Sequence, residues 1–271
     1  MSLADTFTVV VPDRRGRGLS PHPYTPDYTV DDDVHDLDAV LQATGARFVY
    51  GLSSGAGITL KAALALPGIE KIALYEPSTD LAGMLVTGTK LARLGLGLIR
   101  AMPDRVVTPA IRAIMKKEAA SGSGHYATMA ELALAFQYDF AIVRSMDDSI
   151  PAFGTLTRSV LLLGGSKSPA FLARSLDQLQ QVIPTVRRVT LDGVGHDASW
   201  NVDPQRNPHG NPKAVADQLK RSSPCNRTDR PRRPEGRSCH PHPADTKQAP
   251  DRTAWSGACH CMRWVWDLNP R

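Results

Sequence analysis

The sequence predicts an α/β fold: a mostly parallel sheet flanked by helices, interrupted by a helical insertion and followed by a disordered tail. Three observations carry that expectation. Short apolar, β-branched runs alternate with amphipathic helical stretches through the first 77 residues. A glycine-rich corner, Gly51-Leu52-Ser53-Ser54-Gly55, joins one such run directly to a helix. Composition then changes abruptly after Arg221, where Pro, Arg, Cys and Trp crowd together without apolar periodicity.

Thr6 to Val11 reads as a strand buried on both faces, because its apolar run is continuous. It opens into Pro12-Asp13-Arg14-Arg15-Gly16-Arg17-Gly18-Leu19-Ser20, and Pro21, Pro23 and Pro26 keep the following loop extended. Val30 to Ala43 is a helix, since Val34, Leu37, Val40 and Leu41 fall three and four apart. Asp31, Asp32 and Asp33 sit at its N-terminal end, where the helix dipole favours negative charge, and Gly45 closes it.

Phe48 to Tyr50 are β-formers, and the stretch from Ile58 to Leu66 is helical until Pro67-Gly68. Between them the corner matches G-x-S-x-G, a strand-to-helix turn that exposes the serine hydroxyl. Small residues are needed there because side chains at 51 or 55 would collide with the adjoining strand and helix. Ile69 to Pro77 supplies another strand with Glu76 at its carboxyl end. Strand, helix, strand, helix, strand implies parallel pairing with right-handed crossovers. Functional groups in such sheets gather at the carboxyl ends of strands, where Ser53 and Glu76 both lie.

Residues 78–155 form the expected helical cap, with helices at 84–102, 107–117 and 126–144, the last two separated by Ser121-Gly122-Ser123-Gly124. Ser159 to Leu163 is a further buried strand, Ala170 to Val182 an amphipathic helix, Val186 to Leu191 the last strand and Pro212 to Arg221 a closing helix. The core is therefore assigned to 1–77 and 156–221, the cap to 78–155 and the tail to 222–271.

Charge and cysteine usage narrow the function classes. The chain carries 32 Lys/Arg and 27 Asp/Glu, a formal charge of +5. Residues 221–271 contain enough of that excess to leave residues 1–220 formally neutral, so no nucleic-acid surface is expected on the folded part. Cys225, Cys239, Cys259 and Cys261 all lie in the tail. A core without cysteine suits a cytoplasmic protein. Leu91 to Met102 is too short and too charged to span a membrane, and no signal peptide precedes the first strand. The tail's Cys239, His240, His242, Cys259, His260 and Cys261 match no common zinc spacing, so no metal is expected.

Taken together, the Val11–Gly18 loop after a strand, the Gly51–Gly55 elbow and the Gly195-His196 turn after the last strand resemble the α/β-hydrolase family over about residues 5–221. The resemblance implies a nucleophile at Ser53, a general base at His196 and an oxyanion donor in the backbone N–H of Ser54. It implies no cofactor and a small-molecule substrate; the Leu- and Met-rich cap points to a small apolar carboxylic ester, and cofactor-free perhydrolysis is a related chemistry for the same triad. The triad acid departs from the commonest pattern. Where the family often has Asp after the strand at 159–163, this chain has Ser166, Lys167 and Ser168. The alternative family position matches Glu76; Asp139, Asp147 and Asp148 are further candidates. Asp13, Arg14 and Arg17 are expected to be architectural, and Asp197 a solvated neighbour of His196.

Two departures bear on competence. The family normally places strands before the one beginning here at Thr6, and one of their loops supplies the second oxyanion donor. Their absence suggests a truncated chain, an exposed sheet edge and an alternative reading as an impaired remnant or a binding protein. The closing Trp266–Arg271 resembles a translated transfer-RNA gene, which suggests read-through sequence.

Overall fold

The computed structural model describes residues 3–16, 20, 25, 27–79, 138–139, 141–146, 149–201, 207 and 210–222, together with the backbone of 262–266. Six strands form one sheet: β1 (Thr8–Val10), β2 (Phe48–Leu52), β3 (Lys71–Tyr75), β4 (Ser159–Gly165), β5 (Val186–Leu191) and β6 (Met262–Trp266). Every pairing is parallel, in the order β1-β6-β2-β3-β4-β5. Among the described residues they are accompanied by the α-helices α1 (Val30–Thr44), α2 (Ser54–Ala65), α3 (Ala170–Val182) and α4 (Pro212–Arg221). A 3-10 helix spans Ile150–Thr155, and residues 141–146 are helical.

Alternation along the strands builds two cores. Val49, Ile72, Leu74, Val160 and Leu162 face α1, α2 and α3. Tyr50, Leu52, Ala73, Tyr75, Leu161 and Leu163 face the opposite way, with Val215 and Leu219 of α4. Each central strand therefore buries both faces, which is why β2 to β4 read as unbroken apolar runs.

Local signals place the helix ends. The Asp32 carboxylate accepts from the Thr29 N–H at 2.9 Å, which satisfies a donor just outside α1. Gly45 ends α1 in the left-handed conformation at φ 69°, and its N–H donates to Leu41 O at 2.8 Å. Asn211 caps α4 by accepting from the Ala214 N–H at 3.0 Å.

Two expectations need correction. β1 is shorter than Thr6–Val11 and is only half-buried, with Thr8 exposed, because it is the outermost strand and has a neighbour on one side only. The tail is not without regular structure: Met262–Trp266 is a strand. The exposed sheet edge expected at the first strand is present, on the outer side of β1. β6 fills an interior position, pairing Thr8–Val10 with Met262–Trp264 on one side and Phe48–Gly51 with Arg263–Trp266 on the other. Two parallel strands separated by one strand's width present unpaired N–H and C=O groups, and a short extended segment satisfies both rows at once.

The cap helices at 84–102 and 107–117, and most of 126–144, lie outside the described residues. So do Asp147, Asp148, Arg17 and the tail cysteines and histidines. Of the third cap helix, residues 138–139 and 141–144 are helical, and the helical run continues to 146. Among the described residues no helix is long and apolar enough to cross a membrane, and no cluster of metal-ligating side chains occurs.

Candidate active site

Ser53 stands between β2 and α2 with φ 55° and ψ −118°, outside the regions that non-glycine residues ordinarily adopt. The sheet holds it there. Leu52 and Tyr75 are register partners, and one residue further on the Ser53 N–H donates to Tyr75 O at 2.9 Å. Its carbonyl accepts from the Ala56 N–H at 3.0 Å, starting α2. Strain of this kind persists only where the surroundings over-determine it. Close approach is the reason for glycine at 51. A Cβ there would lie 2.4 Å from Gly55 O, 2.5 Å from Thr59 Oγ1 and 2.6 Å from Ala56 Cα.

Glu76 repeats the arrangement one strand over. It has φ 47°, and its N–H donates to Leu163 O at 2.9 Å. Its side chain is 1% exposed and has a partner on each oxygen. Oε1 accepts from the Gly165 N–H at 2.6 Å, and Oε2 lies 2.7 Å from His196 Nδ1. Glu76 thus reaches across the end of β4 to the loop after β5. Glycines at 164 and 165 make the space: a Cβ on Gly164 would come 3.3 Å from Glu76 Oε1, and one on Gly165 would come 2.2 Å from Val194 O.

A carboxylate only accepts, so in the neutral imidazole the His196 nitrogen facing it carries the proton and Nε2 keeps its lone pair. Tyr75 secures the same loop by donating its hydroxyl to Gly195 O at 2.7 Å. Burial, and next the Glu76 charge, push the Tyr75 phenol well above its usual range, so it remains a donor.

Ser54 is the first residue of α2, so its backbone N–H has no acceptor within the helix. Its hydroxyl donates to Asp139 Oδ1 at 2.8 Å. Asp139 Oδ1 therefore meets Ser54, while the carboxylate beside His196 Nδ1 is that of Glu76. Arg14, expected to be architectural, is buried beside Asp139. Nε and Nη2 donate to the two oxygens of Asp33 at 3.0 and 2.9 Å, and Nη1 donates to Asp139 Oδ1 at 2.8 Å. Burial opposes the guanidinium charge, but Asp33 and Asp139 outweigh it and raise the Arg14 pKa. Reading Asp31–Asp33 as a dipole-favoured run missed Asp33's role. The available signal was the double arginine in the loop preceding that helix.

The model of the Alpha/beta hydrolase family matches residues 2–217. The chain belongs to the alpha/beta hydrolase family. An N-formylmaleamate deformylase of Pseudomonas putida is 26% identical over 210 residues, which span 73% of this chain and 75% of that protein. Among solved structures, an alpha/beta hydrolase from Sphaerobacter thermophilus is 27% identical, covers 76% of this chain and 78% of its own, and has a TM-score of 0.48. A meta-cleavage product hydrolase from Pseudomonas fluorescens shares the fold at 18% identity and TM-score 0.51, covering 82% of this chain and 83% of its own.

This alpha/beta hydrolase makes a simple prediction at Gly165. Alanine there must displace the Val194 carbonyl by about an ångström, and the loop carrying His196 with it; a shift of that size costs on the order of a hundredfold in rate. Under a mechanism that uses His196, Gly165→Ala is expected to lower kcat about a hundredfold on any substrate the hydrolase turns over, while far-ultraviolet circular dichroism stays that of the parent. Unchanged kcat would show that the loop yields elsewhere.

Proposed function

We propose that this protein is a serine hydrolase acting on a small apolar carboxylic ester, with Ser53 as nucleophile, His196 as general base and Glu76 as the orienting acid. One observation carries the reading: a buried carboxylate held by the Gly165 N–H and the His196 imidazole, one strand away from a serine in a forced conformation. His196 takes the Ser53 proton as Oγ attacks the carbonyl. The proton then passes to the departing alcohol, leaving an acyl-serine. Water deprotonated by the same imidazole attacks the acyl carbon, and the acid leaves as Ser53 recovers its proton. Glu76 keeps the imidazole's tautomer and offsets its transient positive charge. The Ser54 N–H, at the positive end of α2, faces the developing oxyanion. Every step is a proton transfer or acyl transfer, and none requires a cofactor.

The apolar ester follows from the Leu- and Met-rich stretch at 84–115. The name of the Pseudomonas putida relative denotes an N-formyl substrate, so an N-formyl amide belongs in the substrate panel beside short acyl esters.

The test is covalent labelling. Purified protein treated with a fluorophosphonate is expected to gain one adduct, mapped by peptide mass to Ser53 and absent from Ser53→Ala. A folded sample that gains none would overturn the reading in favour of a binding protein with the same fold.

A further inference from the structure

The Ser54 hydroxyl, the Asp139 carboxylate and the Arg14 guanidinium form a continuous chain, buried at both ends and with the Asp139 side chain 15% exposed, and no step of the reaction consumes any of them. Ser54 and Arg14 are 3% and 4% exposed, and Asp33 is fully buried. Asp139 Oδ1 is shared, accepting from Ser54 Oγ and from Arg14 Nη1, both at 2.8 Å. Arg14 is itself immobilised by its fork on Asp33, and Asp33 also accepts from the Tyr28 hydroxyl. Tyr28 meets Tyr138, the residue before Asp139, edge to face with ring centroids 4.6 Å apart. Four separate pieces of chain are joined at this point: the loop after β1, the start of α1, residues 138–139 and the first residue of α2.

A serine at the start of a helix ordinarily has competing options, since its hydroxyl can bond nearby backbone groups or solvent. Here one option is taken, and it leads to a charged acceptor that cannot turn, because Arg14 holds the same oxygen. Hydrogen bonds to ionised partners are shorter and stronger than neutral ones. The Ser53–Ser54 peptide plane sets the direction of the Ser54 N–H. Tying the Ser54 side chain to a fixed carboxylate therefore restrains the donor that would meet an oxyanion.

We propose that Asp139, backed by Arg14, is a positioning residue that aims the Ser54 backbone N–H at the reacting carbonyl oxygen. The proposal rests on the serine-hydrolase reading above. It predicts an effect confined to the transition state, because the negative charge on that oxygen develops only there.

The experiment compares Ser54→Ala, Asp139→Asn and the double variant with the parent on one short acyl ester, alongside the rate of fluorophosphonate labelling. Ser54→Ala keeps the backbone N–H and removes the tether. Asp139→Asn keeps an acceptor shape and removes the charge. Each single change is expected to lower kcat and the labelling rate about tenfold, with KM within about twofold, as removal of one charge-assisted hydrogen bond implies. The double variant is expected to be no slower than the slower single variant, since both break one link. A purely structural role would lower the melting temperature and leave kcat of the folded fraction alone. That result, or losses that multiply in the double variant, or a rise in KM without a fall in kcat, overturns the proposal. Should Asp139→Asn fail to fold, Ser54→Ala decides, with parental kcat counting against. If the parent labels at Ser53 and the variants label equally fast, positioning fails while the hydrolase reading stands. A folded parent that does not label removes both.

Discussion

Glu76→Gln is expected to lower kcat by about 10⁴-fold while leaving KM nearly unchanged. The change is almost isosteric, and the amide oxygen can still accept from the Gly165 N–H, which lies 2.6 Å from Oε1 in the parent. The other end then presents an NH₂ group to His196 Nδ1. That contact favours the tautomer with the proton on Nε2, which cannot accept from Ser53. The loss of negative charge also withdraws stabilisation from the imidazolium formed during attack. Steady-state kinetics on a short ester checks the rate, and circular dichroism confirms the fold. An amide variant within tenfold of the parent would show that Glu76 is not the orienting acid, however short its contact with His196.

The second large effect concerns the sheet. A chain ending at Ser222 is expected to melt far below the full-length protein and to aggregate. It lacks β6, which among the described residues is the sole strand neighbour of β1 and one of two neighbours of β2. The seven register pairs of β6 are divided between those two strands. At roughly 0.5–1.5 kcal/mol net for each hydrogen bond, losing them is comparable with a typical whole-domain stability of about 5–15 kcal/mol. β2 would then expose a row of unpaired backbone groups immediately before Ser53, the condition that promotes pairing between chains. Thermal denaturation and size-exclusion chromatography of both lengths test this. Equal melting temperatures and a monomeric short form would show that β6 adds nothing to the sheet. Such a result would fit a tail without an evolved role.

What the sequence alone determined was everything that depends on near neighbours. Ala170–Val182, Val186–Leu191 and Pro212–Arg221 were legible to the residue, because apolar periodicity and end signals are local. Gly51 before Ser53 had a readable steric reason, and the collision distances at its Cβ supply it. Family membership was legible too, since the elbow and the strand–helix alternation repeat in chain order. Tertiary structure decided the rest, each time through partners far apart in the chain. Four carboxylates were candidates for His196. The crossing of β4 by the Glu76 side chain, through space left by Gly164 and Gly165, brings one of them to His196 from 120 residues away. Asp139 looked equivalent in sequence, yet Arg14 and Ser54 claim it from 125 and 85 residues away. Met262–Trp266 carries no turn or alternation strong enough to announce a strand. What makes it one is the pair of unsatisfied strand edges that receives it, and those edges exist only once β1 and β2 are in place.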